Sequence, residues 1–218
     1  MQELNNRIEQ YIKDPDEPTN SFQLGYQYEL MGHPASAMGY YLKCAELTDD
    51  NKLAYECLLR KAMCYQSLKD RNAHVRNCCL LAIGLAPERP EAYHLLSISY
   101  ERAGLWQESY AWAVAGQRLN GISKKDALDT FVNFEGYFVL PFQEAVSLWW
   151  LGRFKDSLKK FKEVSEMELT PAYVGHVKWN IDNLEGNDAD ELSGLTKTST
   201  QDKEEIIKRI LAKKSDKK

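Results

Sequence analysis

A histidine and a cysteine in this sequence are spaced as a metal site would need them. His74 and Cys78 are four residues apart, so one helix would present both to the same metal ion. No Cys-x-x-Cys pair accompanies them, and the five cysteines are an odd number. Metal binding, redox sensing and packing are all open roles. Packing is favoured, because Cys44, Cys78 and Cys79 recur at regularly spaced small-residue positions. We therefore predict no metal and no cofactor.

The four histidines give no sign of acid–base catalysis. They are scattered at His33, His74, His94 and His176, and none is paired in sequence with a serine or cysteine nucleophile. We therefore predict no catalytic residues and a protein that is not an enzyme.

The overall composition restricts the possible partners. The chain has 218 residues and a formal net charge of −4, so no strong positive field attracts nucleic acid. No apolar run approaches the roughly 18 residues that a membrane span needs. The polar N-terminal residues do not resemble a secretory signal. These features predict a cytoplasmic protein without a transmembrane segment and without a specific nucleic-acid partner.

Four segments repeat one spacing of small, aromatic and small residues. A fixed spacing over roughly 34 residues indicates helix–turn–helix repeats, which form binding scaffolds. The sequence thus predicts an all-α, right-handed helical solenoid of about four helix pairs. The four copies read Leu24, Gly25, Tyr28, Gly32, Ala37, Tyr41, Cys44; Leu58, Ala62, Tyr65, Val75, Cys79, Ala82; Leu96, Ser97, Tyr100, Gly104, Ser109, Ala113, Gly116; and Glu144, Ala145, Leu148, Gly152, Ser157, Phe161, Val164.

Prolines, glycines and polar runs divide the chain around these repeats. Residues 1–18 are predicted to be a leading helix and linker, and residues 19–185 the solenoid, which ends in a capping helix. An insertion at about residues 120–140 interrupts the solenoid. Residues 186–202 have few apolar side chains and no period, so they are predicted to be a disordered linker. Residues 203–218 are predicted to form a short basic amphipathic helix.

The insertion and the tail carry predictions of their own. Residues 126–134 favour one or two helical turns, whereas residues 136–140 are aromatic and β-branched and favour an extended chain. The fourth helix pair is predicted to start at Pro141. In the tail, an apolar face from Ile206 to Leu211 lies beside lysines. The tail has three alternative roles: a helix that docks on a partner, weak contact with a polyanion, or a solvated helix without a partner.

Four segments together resemble a known repeat family. They read PTNSFQLGYQYELMGHPASAMGYYLKCAEL, RPEAYHLLSISYERAGLWQESYAWAVAGQRL, FQEAVSLWWLGRFKDSL and AYVGHVKWNIDNL. They resemble the tetratricopeptide repeat (TPR). In particular, they are similar to the TPR segment that accompanies family-2 glycosyltransferases in bacteria, large viruses and tailed phages of marine cyanobacteria, and to its free-standing versions. The resemblance covers residues 19–184 and implies a helical scaffold.

The chain is expected to differ from the fused proteins in lacking a transferase domain. The segment Asp188-Ala189-Asp190 matches the acidic metal motif of such enzymes in letters. It lies in the polar linker, with no hydrophobic strand before it and no room for a nucleotide-binding fold after it. A chance match is therefore favoured over a catalytic motif.

The resemblance implies that the first helix of each pair lines a concave groove. Side chains there are mostly apolar and aromatic, which suits a hydrophobic helix or an extended segment. They lack the cations with which chaperone-binding TPR proteins hold a C-terminal carboxylate. Partner contact and simple packing against the leading and capping helices are both open. The predicted groove residues are Phe22, Tyr26, Glu29, Leu59, Met63, Gln66, His94, Ile98, Glu101, Arg102, Phe142, Val146 and Trp149.

Three functions follow as hypotheses. The first is a non-catalytic scaffold that binds a peptide or protein surface in the groove. The second is an accessory protein to a separate glycosyltransferase, and the third is a phage structural or assembly protein. The predicted location is the cytoplasm, which is the host cytoplasm for a viral protein.

Overall fold

Helices dominate the computed structural model, which describes residues 2–68, 71–118 and 128–186. Within these ranges the chain forms ten helices and no strand, which confirms the predicted all-α solenoid. The helices are α1 (Gln2–Lys13), α2 (Pro18–Leu30), α3 (Pro34–Leu47), α4 (Asn51–Ser67), α5 (Asn72–Leu85), α6 (Glu91–Glu101), α7 (Trp106–Gln117), α8 (Val139–Trp150), α9 (Phe154–Ser165) and α10 (Pro171–Glu185).

Eight of these helices form four consecutive pairs, from α2–α3 to α8–α9. Each helix packs on the one before it and the one after it, so the pairs stack in chain order. Gly32, Gly104 and Gly152 turn the chain within three of the pairs, with φ angles of 75°, 69° and 76°. A side chain is disfavoured in this left-handed conformation, which explains why glycine recurs there.

Small residues allow the two helices of a pair to approach closely. A Cβ atom added at Gly25 would lie 3.2 Å from the Tyr41 ring, so the glycine leaves room for that aromatic side chain. In the third pair, the hydroxyl of Ser97 donates to the carbonyl of Ser109 at 2.8 Å. The small and aromatic residues that recur in the sequence therefore include positions where the two helices of a pair touch.

The insertion differs from its predicted conformation. The described part of the predicted helical turns, residues 128–134, is not helical. In addition, α8 begins at Val139 and not at Pro141, so Val139 and Leu140 are helical where an extended chain was predicted. Burial of Phe138, Val139 and Leu140 drives this earlier start, and a proline in the first turn of a helix is tolerated.

Several predictions lie outside the described residues. These are the first eight positions of the insertion, the Asp188–Asp190 segment, the tail helix 203–218 and, apart from Gly186, the linker 186–202. Among the helices that are described, none combines the length and apolarity needed to cross a membrane.

Candidate functional site

The first helix of each pair lies beside the first helix of the next pair. Arg60 on α4 donates to Glu29 on α2 at 3.1 Å, and Tyr55 on α4 donates to Glu91 on α6 at 3.2 Å. The amide of Gln143 on α8 donates to a glutamate at the end of α6. The four helices α2, α4, α6 and α8, called the inner helices, therefore form one continuous row.

Part of the insertion lies against this row. Residues 128–135, called the strap, contain neither helix nor strand. The carboxylate of Glu56 on α4 accepts from the main-chain N–H of Asp129 at 2.9 Å and from that of Thr130 at 2.8 Å. The hydroxyl of Thr130 donates to the same carboxylate. One buried glutamate thus holds two consecutive main-chain donors of a segment more than 70 positions away.

A second side chain on α4, that of Arg60, binds a main-chain carbonyl of the strap. Arg60 donates to the Thr130 hydroxyl at 2.8 Å and to the carbonyl of Phe131 at 3.0 Å. Its guanidinium also pairs with Glu29 and lies 4.7 Å from the centroid of the Tyr26 ring. The planar guanidinium carries several fixed donors, so it binds the strap and α2 at the same time.

Apolar side chains of the strap enter the space between α4 and α6. Val132 is buried in the cluster that contains Leu59 and Leu96. Phe134 meets His94 edge-on, with ring centroids 5.9 Å apart. Burial lowers the pKa of His94 to about 4, so its imidazole is neutral at neutral pH.

Three predicted groove residues are buried by other parts of the chain. Leu59 is fully buried in the core, and Phe22 packs on Tyr41 beneath the surface. His94 is 4% exposed, with Phe134 of the strap against it. These residues lie on the inner helices, and neighbouring elements cover them.

Two predicted acidic residues already have partners within the chain. Glu29 accepts from the hydroxyl of Tyr41 at 2.6 Å and pairs with Arg60. Glu101 accepts from Gln143 on the neighbouring helix, and burial raises the pKa of its carboxyl. Both carboxylates therefore link helices of the array.

The predicted residues on α8 are partly covered by the helices that follow. Phe142 lies edge-on to Phe161 of α9 and to Tyr173 of α10, at centroid distances of 5.7 and 5.0 Å. Trp149 packs on Phe154 at 6.0 Å. Val146 joins the same partly buried cluster. These three residues therefore pack against α9 and α10.

The remaining predicted residues lie toward the C-terminal ends of α2, α4 and α6, or just after α6, and are together called the open face. Tyr26, Met63, Gln66 and Ile98 are partly exposed there, and Arg102 is exposed. This open face combines aromatic and aliphatic surface with one cation. It adjoins the strap, because the ring of Tyr26 lies under the guanidinium that holds Phe131.

A cleft of about 850 Å³ borders the strap. It is bounded by Phe131 and Phe138 on one side and by Met167 and Thr170, just before and at the start of α10, on the other. The Thr170 hydroxyl donates to Glu135 at 2.8 Å across one end. The strap therefore packs on α4 and also lines an open cleft.

Sequence reasoning missed the two residues that hold the strap. Glu56 and Arg60 are charged, are four positions apart and are flanked by buried apolar residues in α4. Charges are almost never fully buried unless they are paired. Two charges within an apolar stretch were therefore a detectable sign of an internal partner.

The cysteines take the packing role. All five are free thiols and buried, and burial raises the pKa of Cys78 and Cys79. His74 instead packs on Tyr65, at 4.8 Å between ring centroids. Within the described ranges, no three His, Cys, Asp or Glu side chains come together as a metal site would require.

Comparison with solved structures identifies the fold. Two crystal structures of MamA align with TM-scores of 0.60 and 0.59, each at 17% identity, over 75% and 77% of this chain and 85% and 87% of theirs. YrrB, described as a TPR protein with an unusual peptide-binding site, aligns at 0.59 and 13% identity over 84% of this chain and 86% of its own. No family model and no curated protein matches the sequence. The chain therefore has a TPR fold.

Proposed function

We propose that this chain is a non-catalytic scaffold that binds a segment of a partner protein on its inner helices. One observation carries the proposal. Glu56 and Arg60 bind main-chain N–H and C=O groups of a segment that is neither helix nor strand. Main-chain recognition of this kind is how a surface binds a peptide, because every peptide offers the same groups.

The open face supplies the side-chain contacts for a partner. Tyr26, Met63 and Ile98 offer apolar surface, and Arg102 offers an exposed cation beside it. Aromatic, methionine and arginine side chains are those enriched at protein interfaces. The expected ligand is a peptide with apolar side chains and a carboxylate placed to meet Arg102. YrrB, with the same fold, is described as having a peptide-binding site.

The two other hypotheses from the sequence, a glycosyltransferase accessory and a phage protein, would specify the identity of the partner. Association with a separate glycosyltransferase and a structural or assembly role in a phage both stay predictions, because they rest on the sequence resemblance alone. The cytoplasmic location is likewise a prediction.

A peptide selection tests the proposed function. A random 12-residue library is selected on the folded chain, and affinities of the recovered peptides are measured for two variants, Ile98→Ala and Arg102→Ala. We expect each variant to weaken binding about tenfold, since the central residues of an interface typically contribute more than 1 kcal/mol. Leu81→Ala is the matched control, because Leu81 is exposed on a second helix of a pair.

Two results would contradict this function. One is a set of peptides whose affinity is unchanged by both open-face variants. The other is a loss of affinity in Leu81→Ala equal to that in Ile98→Ala, which would place the binding surface elsewhere.

A further inference from the structure

We propose that the strap is an internal ligand of the inner helices, and that a partner segment binds by taking its place on Glu56 and Arg60. The inference rests on the proposed function and deepens it, because it specifies both the chemistry of the partner and a competition that controls access. The occupant is a non-helical segment with a hydroxyl residue followed by alternating apolar residues.

The main-chain contacts are transferable to another segment. Glu56 accepts from two consecutive N–H groups, and Arg60 donates to the carbonyl of the residue after them, Phe131. None of these three contacts involves a side chain of the strap. Any segment that presents the same groups in the same geometry can therefore make them.

The side-chain contacts define the preferred sequence. The Thr130 hydroxyl donates to Glu56 and accepts from Arg60. Val132 is buried in the core cluster, and Phe134 covers His94, whereas Phe131, between Thr130 and Val132, is 61% exposed. The site thus reads every second residue, in the order hydroxyl, β-branched and aromatic. A partner segment of the form Thr-x-Val-x-Phe has this chemistry, and serine could replace the threonine.

The strap borders open space as well as the inner helices. The exposed Phe131 ring lines the cleft of about 850 Å³. To leave, the strap must also break the bond from Thr170, at the start of α10, to Glu135. Asn133 adopts a left-handed conformation with φ of 58°, which asparagine tolerates better than most other residues that carry a side chain. Removing the strap exposes Glu56, Arg60 and His94 together.

Asn133 provides a variant that loosens the strap without touching the site. The residue is exposed, and no hydrogen bond joins its side chain to the inner helices. In Asn133→Val, a β-branched residue is forced into the left-handed region. The closed state then becomes about 5- to 30-fold less populated relative to the open state. Asn133→Gly is the matched control, since glycine adopts this conformation freely.

The probe is a synthetic peptide with the sequence of residues 128–135, acetylated and amidated, added to the full chain. An internal ligand acts at an effective concentration in the millimolar range, so the unmodified protein should bind the peptide weakly. Asn133→Val should bind it about 5- to 30-fold more tightly, and Asn133→Gly should match the unmodified protein. The same peptide with Thr130→Val should bind every protein more weakly, because the hydroxyl bonds to Glu56 and Arg60 are absent.

Equal peptide affinity in Asn133→Val and the unmodified protein would overturn the inference, as would equal affinity for the two peptides. Hydrogen exchange on the unmodified protein provides an independent check. We expect the Thr130 amide to exchange faster than the Leu59 amide of α4, because the strap opens locally. Exchange of both amides at one rate would make the strap a permanent part of the core and would refute displacement. The proposed function would survive these results if selected peptides still depended on Arg102.

Discussion

Replacing Glu56 with alanine should reveal how firmly the strap is held. The carboxylate is 1% exposed and accepts from the N–H groups of Asp129 and Thr130 and from the Thr130 hydroxyl. In Glu56→Ala both N–H groups lose their partner, at roughly 1–3 kcal/mol each. Removing a buried charge recovers part of this loss. We therefore expect the free energy of unfolding to fall by about 2–4 kcal/mol.

Urea unfolding followed by circular dichroism measures this change. The matched control is Glu46→Ala, because Glu46 is exposed on α3, and its effect should stay within about 0.5 kcal/mol. Glu56→Gln keeps one acceptor oxygen and should fall between the two. A loss in Glu56→Ala no larger than in the control would refute the reasoning, since the carboxylate would then contribute nothing to holding the strap.

Two further predictions test the packing and the buried histidine. Gly39→Ala should stabilise the chain by about 0.8–1 kcal/mol through helix propensity, because a Cβ there meets nothing within 4 Å. Gly116→Ala should destabilise it by about 1–2 kcal/mol, because a Cβ there lies 2.8 Å from Tyr93 and 2.9 Å from Leu140. Urea unfolding measures both changes. If the two variants changed the free energy of unfolding in the same direction, the described packing would be contradicted. The folded pKa of His94, about 4, lies below its usual 6.5, so the unfolded chain takes up the proton first as pH falls. The contribution of His94 to stability should therefore be constant above about pH 7 and fall by about 3 kcal/mol between pH 6.5 and 4. His94→Gln should lack this part of the pH dependence when the two proteins are unfolded in urea across this range.

The helices were predictable because their signals are local. Gly25 and Tyr41 recur as a small and an aromatic residue at fixed offsets, and these are the positions where paired helices touch. Gly32 and Gly104 mark turns for the same conformational reason in different pairs. Periodicity therefore located the pairs, and the comparison with TPR structures confirms the fold.

The candidate binding face was only partly predictable, because its exposure depends on contacts distant in sequence. Leu59 and His94 have the register of groove residues, yet Val132 and Phe134 of the strap cover them. Nothing in the period of α4 indicates which segment will lie on it. Likewise, the start of α8 at Val139 follows from burial, which outweighs the strand preference of β-branched residues.

The bond from Glu56 to Thr130 has a consequence for how the chain folds. It joins positions 74 apart, whereas helices of the array otherwise pack mainly on their neighbours in sequence. Stability in a simple repeat array is close to a sum of neighbouring interfaces, and such arrays fray from their ends. The strap adds a long-range contact, so the second and third pairs should unfold together as one cooperative block while α1 and α10 fray first. High contact order slows folding, and closure of the strap is therefore expected to be a late step.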